Sequence, residues 1–177
     1  MPFGWGIVST GTHPDVKIAP AMAAADGGEL VGVYSRDQHR AEAFAQKHGA
    51  HAAYSQLGDL LKDSRVDGVF VSSPNALHAE HVVQAAEAGK HVLCEKPMAT
   101  TVADAVRMLQ ACRRAAVTLG VAFNLRQHPP ISARASSSPP GRWGASCSPR
   151  RSGRSACAAA TARRRARRSR SGGTRRS

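Results

Sequence analysis

Cysteines, aromatic side chains and long apolar runs are all scarce in this 177-residue chain. The four cysteines lack the close paired spacing of a zinc site, so no metal site is expected. No basic start followed by an apolar core opens the sequence, and no apolar run is long enough to span a bilayer. We therefore expect a cytoplasmic protein without a membrane partner. Cys94 and Cys112 would be small core residues in a reducing compartment.

Acidic residues are absent from residues 131–177, which hold 13 of the 25 basic side chains, all of them arginine. Residues 1–130 contain 12 basic and 12 acidic side chains, so the net charge of +13 belongs to the C-terminal segment alone. A strongly basic chain often binds nucleic acid, but this segment has a single aromatic residue, Trp143, to stack on bases. No specific nucleic-acid partner is expected.

Short apolar runs of β type alternate with longer helical segments in the first part of the chain. The predicted strands are Trp5–Ser9, Glu29–Tyr34, Asp67–Ser72, His91–Cys94 and Leu119–Phe123. The predicted helices are residues 17–26, Gln38–His48, Asn75–Ala88 and 101–118, with Gly49 and Gly89 closing the second and third. This alternation is typical of βαβ units. We therefore predict an α/β fold of Rossmann type: a doubly wound parallel sheet with helices on both faces.

The turn after the first strand is similar to a dinucleotide-binding turn. Gly11 fits the middle glycine of G-x-G-x-x-G, Ser9 stands at the first position, and the third glycine is missing. Residues 13–17 look like a small insertion before the helix, whose first turn would hold Pro20. Small residues let the backbone approach a pyrophosphate. The candidate contacts are Ser9, Thr10, Gly11 and Thr12. By itself, this pattern would also suit a tight turn in any α/β domain.

The end of the second strand favours NADP over NAD. Folds that bind NAD usually place an acidic residue there for the ribose 2′-hydroxyl, whereas this chain has Ser35 and Arg36. A hydroxyl beside a guanidinium suits a 2′-phosphate, which arginine holds with its planar fork. In the alternative interpretation, Arg36 is an exposed side chain that covers the end of the sheet.

Two later segments carry a resemblance to a known family. Residues 72–78 read S-S-P-N-A-L-H after the third strand, and residues 88–97 read A-G-K-H-V-L-C-E-K-P around the fourth. Over residues 4–130 the chain resembles the Gfo/Idh/MocA family (glucose–fructose oxidoreductase, inositol dehydrogenase and relatives). The resemblance implies an NAD(P)-dependent oxidoreductase that transfers hydride between a nicotinamide and a secondary hydroxyl of a sugar or polyol.

The resemblance also implies which residues contact the cofactor. The loop that lies along the nicotinamide and its ribose is matched by Ser73, Pro74, Asn75 and His78. For His78, a surface position at the start of the helix is the alternative. The segment that leaves the fifth strand is matched by Asn124 and Arg126. The other histidines are predicted to be surface or structural residues: His13, His39, His48, His51 and His81.

Lys96 is the candidate catalytic residue. Glu95, Lys96 and Pro97 match the family's E-K-P motif, in which the lysine lies where substrate hydroxyl and cofactor meet and the proline commonly follows a cis peptide. An ammonium group there can stabilise developing alkoxide charge or move a proton. The alternative is a solvated loop lysine, which a position at the carboxyl edge of the sheet disfavours.

The composition changes abruptly after Pro130. We predict a dinucleotide-binding domain over residues 1–128, followed by a disordered basic tail over residues 129–177. Ser, Pro and Arg codons read two bases later become codons for aliphatic and small residues, so the tail has the composition of GC-rich coding sequence read out of frame. One back-translation of residues 135–153 yields a helix, a turn and a strand in the other frame. The alternative is a genuine basic tail that binds polyanions.

An out-of-frame tail would stand in place of the family's second domain, to which the resemblance assigns the substrate contacts, an Asp/His pair and the homo-oligomer interface. The chain would then bind NADP without turning over a sugar or polyol substrate. A third possibility is a cofactor-binding sensor or regulator without catalysis.

Overall fold

The computed structural model describes residues 1–124, so Arg126 and the predicted tail with its reading-frame hypothesis lie outside the described residues. Within that range six strands form one parallel sheet. They are β1 (Phe3–Val8), β2 (Gly28–Tyr34), β3 (Ala52–Tyr54), β4 (Gly68–Val71), β5 (His91–Cys94) and β6 (Leu119–Val121). Their spatial order is β3-β2-β1-β4-β5-β6, which is that of a doubly wound sheet. The predicted Rossmann-type fold is confirmed.

Helices connect the strands. They are α1 (Ala19–Ala24), α2 (Gln38–His48), α3 (Leu57–Lys62), α4 (His78–Glu87) and α5 (Val102–Arg114). A 3-10 turn at Asn75–Leu77 leads into α4. Gly49 and Gly89 follow α2 and α4 with positive φ, as a helix-ending glycine does. None of the helices in residues 1–124 is long and apolar enough to cross a membrane.

The sheet buries a separate apolar cluster on each face. Because side chains alternate along a strand, Val8 enters one cluster and its neighbour Ile7 enters the other. The larger cluster packs α3, α4 and α5 on the sheet and includes the fully buried Met108. The smaller one packs α1 and α2 and includes Phe44. Burial of each such side chain contributes about 1.5–3 kcal/mol, which makes the sheet a firm base for the loops at its edges.

Residues 13–17, predicted as a small insertion before the helix, are part of the helical segment, because a π-helical turn at Pro14–Ile18 runs directly into α1. The Asp15 N–H donates to the Gly11 carbonyl at 3.2 Å, and the Ala19 N–H donates to that of Pro14. A π-helical turn holds one residue more than an α-helical turn, so it accommodates the extra length without a loop. Pro20 lies in the first turn of α1, as predicted.

Two elements between α2 and β4 were not predicted. Strand β3 has only three residues, and its Ala-Ala-Tyr sequence shows no apolar alternation. Helix α3 has six residues, of which Leu57, Leu60 and Leu61 are buried. Both are too short for their periodicity to stand out from the sequence.

The ends of several predicted elements also move. The helix predicted over residues 101–118 stops at Arg114, because the chain turns at Ala116, which has a φ of 56°. The first strand begins two residues earlier than predicted, and the last one ends at Val121.

Candidate cofactor-binding site

The last residues of β1, β2, β4 and β5 lie opposite one another in the register of the sheet. The segments that follow these strands therefore meet at one edge. The strand order reverses between β1 and β4, and open parallel sheets bind ligands at such a point. The predicted site residues in these segments are Ser9, Thr10, Gly11 and Thr12 after β1, Ser35 and Arg36 after β2, Ser73, Pro74 and Asn75 after β4, and Glu95 and Lys96 after β5.

A cleft of about 500 Å³ lies at this reversal point, between the ends of β1, β2 and β4. Its predicted lining residues are Ser9, Thr10, Gly11, Ser35, Arg36, Ser73 and Pro74. The lining residues that the sequence did not point to are Tyr34, Asp37, Arg40, Leu77 and His81. The structure thus brings the predicted phosphate turn, the end of β2 and the loop after β4 into a single cleft.

Ser9 adopts the backbone conformation of a glycine. Its φ is 102°, and its N–H donates to the Tyr34 carbonyl of β2 at 2.9 Å. A residue with a Cβ is strained in this region, which normally favours glycine. The turn therefore keeps the shape of the glycine-rich pattern although a serine stands at the first position.

The surroundings of Gly11 show whether the turn leaves room for a dinucleotide phosphate. A Cβ at this residue would come no closer than 3.9 Å to Pro14 Cδ and Ser9 Oγ, and Gly11 does not have a positive φ. Neither its packing nor its backbone conformation therefore requires glycine. A Cβ would instead project into the space that a phosphate needs to approach the backbone. The residues of the turn fit a dinucleotide phosphate.

The end of β2 is positively charged. Arg36 is exposed, and Arg40 reaches across from the first turn of α2, where its Nη2 donates to the Thr10 carbonyl at 3.5 Å. The one carboxylate in the cleft lining, that of Asp37, caps α2 by accepting from the Arg40 N–H at 3.2 Å. Ser35 is 8% exposed, and its Oγ accepts from the Asp37 N–H at 3.3 Å. Two guanidinium groups and a hydroxyl thus surround this end of the cleft.

Arg40 is the main residue that sequence reasoning missed. A signal was present, because Asp37, three residues after the end of β2, predicts a helix N-cap and so places Arg40 in the first turn of the helix that follows. The sequence alone did not indicate that its side chain would turn back over the phosphate turn.

A surface position for His78 is wrong, and its contact with the cofactor stays a prediction. Its side chain is not at the surface and does not line the cleft; the residue is 1% exposed, and its ring nitrogens lie 2.8 Å from the Ser73 carbonyl and 2.9 Å from the Pro97 carbonyl. His81, predicted as a surface or structural residue, lines the cleft instead, with Nδ1 2.9 Å from Ser73 Oγ. Burial lowers the pKa of His81.

The E-K-P loop follows β5, beside the cleft. The Lys96–Pro97 peptide is cis, and the Lys96 N–H donates to the Glu95 carboxylate at 2.8 Å. That carboxylate also pairs with His13 Nε2 at 2.8 Å, which ties the loop to the start of the π-helical turn. Cys94 Sγ lies beneath the loop, and burial raises the pKa of its thiol to about 12. The Lys96 side chain is exposed at the edge of the sheet.

Besides His78, five predicted contacts among residues 1–124 are not in the cleft lining. Thr12 and Asn75 are exposed near it, and Glu95 and Lys96 lie at the end of β5. Asn124, which leaves β6, is exposed and is the last described residue. Across residues 1–124, no group of three or more His, Cys, Asp or Glu side chains is placed to hold a metal ion.

Comparison with known families agrees with this geometry. Residues 3–123 match the model of the Gfo/Idh/MocA family, described as an oxidoreductase family with an NAD-binding Rossmann fold. The chain belongs to the Gfo/Idh/MocA oxidoreductase family. The family resemblance stated from residues 72–78 and 88–97 is confirmed, and the described domain is its NAD(P)-binding domain.

Similar proteins include reductases and dehydrogenases. The 1,5-anhydro-D-fructose reductase of Ensifer adhaerens is 40% identical over 122 residues, which cover 69% of this chain and 36% of that protein. The scyllo-inositol 2-dehydrogenase (NADP(+)) IolU of Bacillus subtilis is 43% identical over 115 residues, which cover 65% of this chain and 35% of that protein. The chain thus spans little more than a third of the length of these relatives.

A solved structure shows the same fold. The crystal structure of KijD10, a 3-ketoreductase from Actinomadura kijaniata in complex with NADP, superposes with a TM-score of 0.73 at 31% sequence identity. The match covers 77% of this chain and 43% of that chain.

Proposed function

We propose that this chain is the NADP(H)-binding part of an oxidoreductase that acts on a secondary hydroxyl of a sugar or polyol. The observation that carries the choice of NADP is the pair Arg36 and Arg40 beside Ser35; the neighbouring carboxylate, Asp37, uses one oxygen, Oδ1, to cap α2. An acidic residue free to hold a ribose 2′-hydroxyl would favour NAD, whereas two guanidinium groups favour a 2′-phosphate. The relatives with NADP in their names support the same choice.

Different residues would bind different parts of the cofactor. The turn from Ser9 to Thr12 would hold the pyrophosphate through its backbone, and the arginines would hold the ribose phosphate. Pro74 and Leu77 give the cleft an apolar wall against which an adenine ring can pack. Asn75 and the E-K-P loop would face the nicotinamide end, and Pro74, which the family resemblance assigned to the nicotinamide, is proposed here to contact the adenine.

Lys96 is the proposed catalytic residue. The bound nicotinamide supplies the hydride chemistry, and the protein supplies position and field. The ammonium group of Lys96 stands on the exposed rim of the sheet, where it can approach a substrate hydroxyl from solvent. There it would stabilise negative charge that develops on the oxygen, or move its proton. The Glu95 carboxylate holds the backbone of Lys96 through its N–H.

Cellular location and assembly are also proposals. Cys94 and Cys112 are buried as free thiols in the described domain, which fits the reducing compartment expected from the sequence, and we place the protein in the cytoplasm. Homo-oligomerisation stays a prediction from the family resemblance.

NADPH binding by the full chain tests the proposed cofactor. Titration followed by nicotinamide fluorescence should show saturable binding that is tighter for NADPH than for NADH. The 13 arginines of residues 131–177 will also attract anions, so the titration is repeated with Gly11→Ala and at increasing salt. Binding that is unchanged by the Gly11 substitution and disappears with salt would belong to the arginines and would remove the cofactor proposal.

Resequencing the gene across the codons for residues 129–138 tests the proposed reading frame. If the frame changes there, the longer product should oxidise a sugar alcohol with NADP, whereas the present chain should bind NADPH without turnover. A longer product that binds NADPH but oxidises none of a panel of sugars and polyols would favour a sensor or regulator. Substrate-dependent turnover retained by Lys96→Ala would remove the proposed role of Lys96.

A further inference from the structure

His78 is a buried histidine with an acceptor on each side. The residue is 1% exposed, its Nδ1 lies 2.9 Å from the Pro97 carbonyl oxygen, and its Nε2 lies 2.8 Å from the Ser73 carbonyl oxygen. A carbonyl oxygen only accepts hydrogen bonds, and a neutral imidazole has one N–H. Both contacts are therefore hydrogen bonds only when each ring nitrogen carries a proton.

The two carbonyls belong to different loops of the candidate site. Ser73 follows β4 and lines the cleft, and Pro97 follows Lys96 in the E-K-P loop. Ser73 is held a second time, since its Oγ contacts His81 Nδ1 at 2.9 Å. The E-K-P loop has its own internal ties, because Cys94 Sγ donates to the Glu95 and Met98 carbonyls. His78 is the side chain that joins the second loop to the first.

We propose that His78 is a positioning residue that donates from both ring nitrogens and fixes the E-K-P loop, and with it Lys96, against the loop after β4. That the position of Lys96 matters for the cofactor rests on the proposed function, whereas the two hydrogen bonds of His78 do not depend on it. His81 lies one turn along α4 from His78; burial lowers the pKa of His81, and a positively charged His78 acts in the same direction. Other titratable side chains around His78 are Glu80 and Glu87 on α4 and Cys94, Glu95 and Lys96 at the end of β5. Helix α5, which packs on α4, carries Asp104, Arg107, Cys112, Arg113 and Arg114.

The ring itself is the first measurement. Nitrogen-15 spectra of histidine-labelled chain at pH 7.5 distinguish a ring protonated on both nitrogens from a neutral tautomer, and His78→Gln assigns the signal. We expect two N–H signals for His78, because each of its ring nitrogens lies within hydrogen-bond distance of a carbonyl oxygen. A bare nitrogen at His78 would overturn the proposal, and this measurement needs no bound ligand.

Ligand affinity is the second measurement, with NADPH compared against adenosine 2′,5′-bisphosphate, which lacks the nicotinamide end. His78→Gln leaves one donor in place of two and should weaken NADPH binding about tenfold, as expected for one lost hydrogen bond. The affinity for the bisphosphate should stay within about twofold, because His81 still holds Ser73. The matched control, His39→Gln, should change neither affinity.

Equal weakening of both ligands would mean that His78 supports the fold without positioning the E-K-P loop, and it would overturn the proposal. If the unsubstituted chain binds neither ligand, the proposed function fails while the nitrogen-15 spectrum still decides the double hydrogen bond. If His78→Gln does not fold, His78→Asn, which keeps a donor near the Nδ1 position, provides the same comparison.

Discussion

The two ends of the site differ in how far they are buried. At the end formed by β1, β2 and β4, Ser35 and Ser73 are buried and the loops enclose a cleft. At the end formed by β5, the Lys96 and Pro97 side chains are exposed. The first end has the groups expected to hold an adenosine phosphate: a strained turn, an open glycine and two arginines. The second end has one exposed lysine on a loop whose backbone carbonyls contact the buried His78 and Cys94 side chains.

The difference indicates that the two ends of the site have different roles, one in binding the cofactor and one in the reaction. A domain of this kind can place most of its binding energy on the part of a cofactor that does not react, which leaves the reacting part accessible to a substrate. The relatives have nearly two thirds of their length outside the matched region.

Replacement of Arg36 and Arg40 should cause the largest change in cofactor affinity. Arg36→Ala combined with Arg40→Ala should lower the affinity for NADPH about hundredfold, because two charge-assisted contacts to the 2′-phosphate are lost. Binding of NADH, which lacks that phosphate, should change by no more than about threefold. Fluorescence titration measures both.

The matched control for this pair removes two other exposed arginines. Arg113 and Arg114 lie in the last turn of α5, which leads to the start of β6 and hence toward the opposite edge of the sheet. Their replacement by Ala removes the same charge and should leave both affinities nearly unchanged. If NADPH and NADH binding fall together in the Arg36/Arg40 variant, the assignment of a 2′-phosphate to that end is wrong.

Gly11→Ala should have the next largest effect, about a tenfold loss of affinity for NADPH and NADH alike, as expected when one or two backbone hydrogen bonds to the pyrophosphate are blocked. Thermal unfolding should be unchanged, since a Cβ at Gly11 meets no atom closer than 3.9 Å. Gly58→Ala, where the added Cβ has open space in α3, is the control for a glycine outside the site. Loss of stability in the Gly11 variant would show that the fold itself needs this glycine.

Ser9→Gly should stabilise the chain relative to Ser9→Ala by about 1 kcal/mol, because glycine relieves the strain of a positive φ that alanine retains. Both variants lack the hydroxyl, so the difference between them isolates the backbone. Urea unfolding provides the free energies. Equal stabilities of the two variants would argue against strain in the turn.

The smallest effect should appear at the β5 end, where Cys94 reports on opening of the E-K-P loop. Burial raises the pKa of this thiol to about 12, so alkylation at pH 8 should require the loop to open. NADPH at twice its dissociation constant should slow alkylation about threefold if only the closed form binds. Peptide mapping after iodoacetamide treatment measures the rate. No change on adding NADPH would mean that the cofactor does not engage the E-K-P loop.

Sequence patterns located five of the six strands and the edge loops because apolar runs and the two motif segments are local features. They also placed seven residues that the structure gathers in one cleft. They failed for β3 and α3, whose three and six residues are too short to show a period. They failed for residues 13–17 because a π-helical turn has no sequence signature of its own.

The missed site residues have a common reason. Arg40 and His81 lie on helices, and which way their side chains turn depends on how α2 and α4 pack on the sheet. The burial of His78, which the sequence did name as a candidate contact, has the same origin. His78 looked like a cofactor contact or a surface residue because both fit the start of a helix. Its burial between the carbonyls of Ser73 and Pro97 depends on a contact across 19 residues that no local pattern records.

The most direct test asks whether the β1–β2–β4 end binds the 2′-phosphate of an adenosine. It is a calorimetric titration of the full chain with adenosine 2′,5′-bisphosphate and with adenosine 5′-monophosphate, at about 0.15 M salt. The account predicts that the bisphosphate binds at least about tenfold more tightly and that the Arg36/Arg40 double variant removes the difference. Equal affinity for the two ligands, or a preference that survives the loss of both arginines, would contradict it.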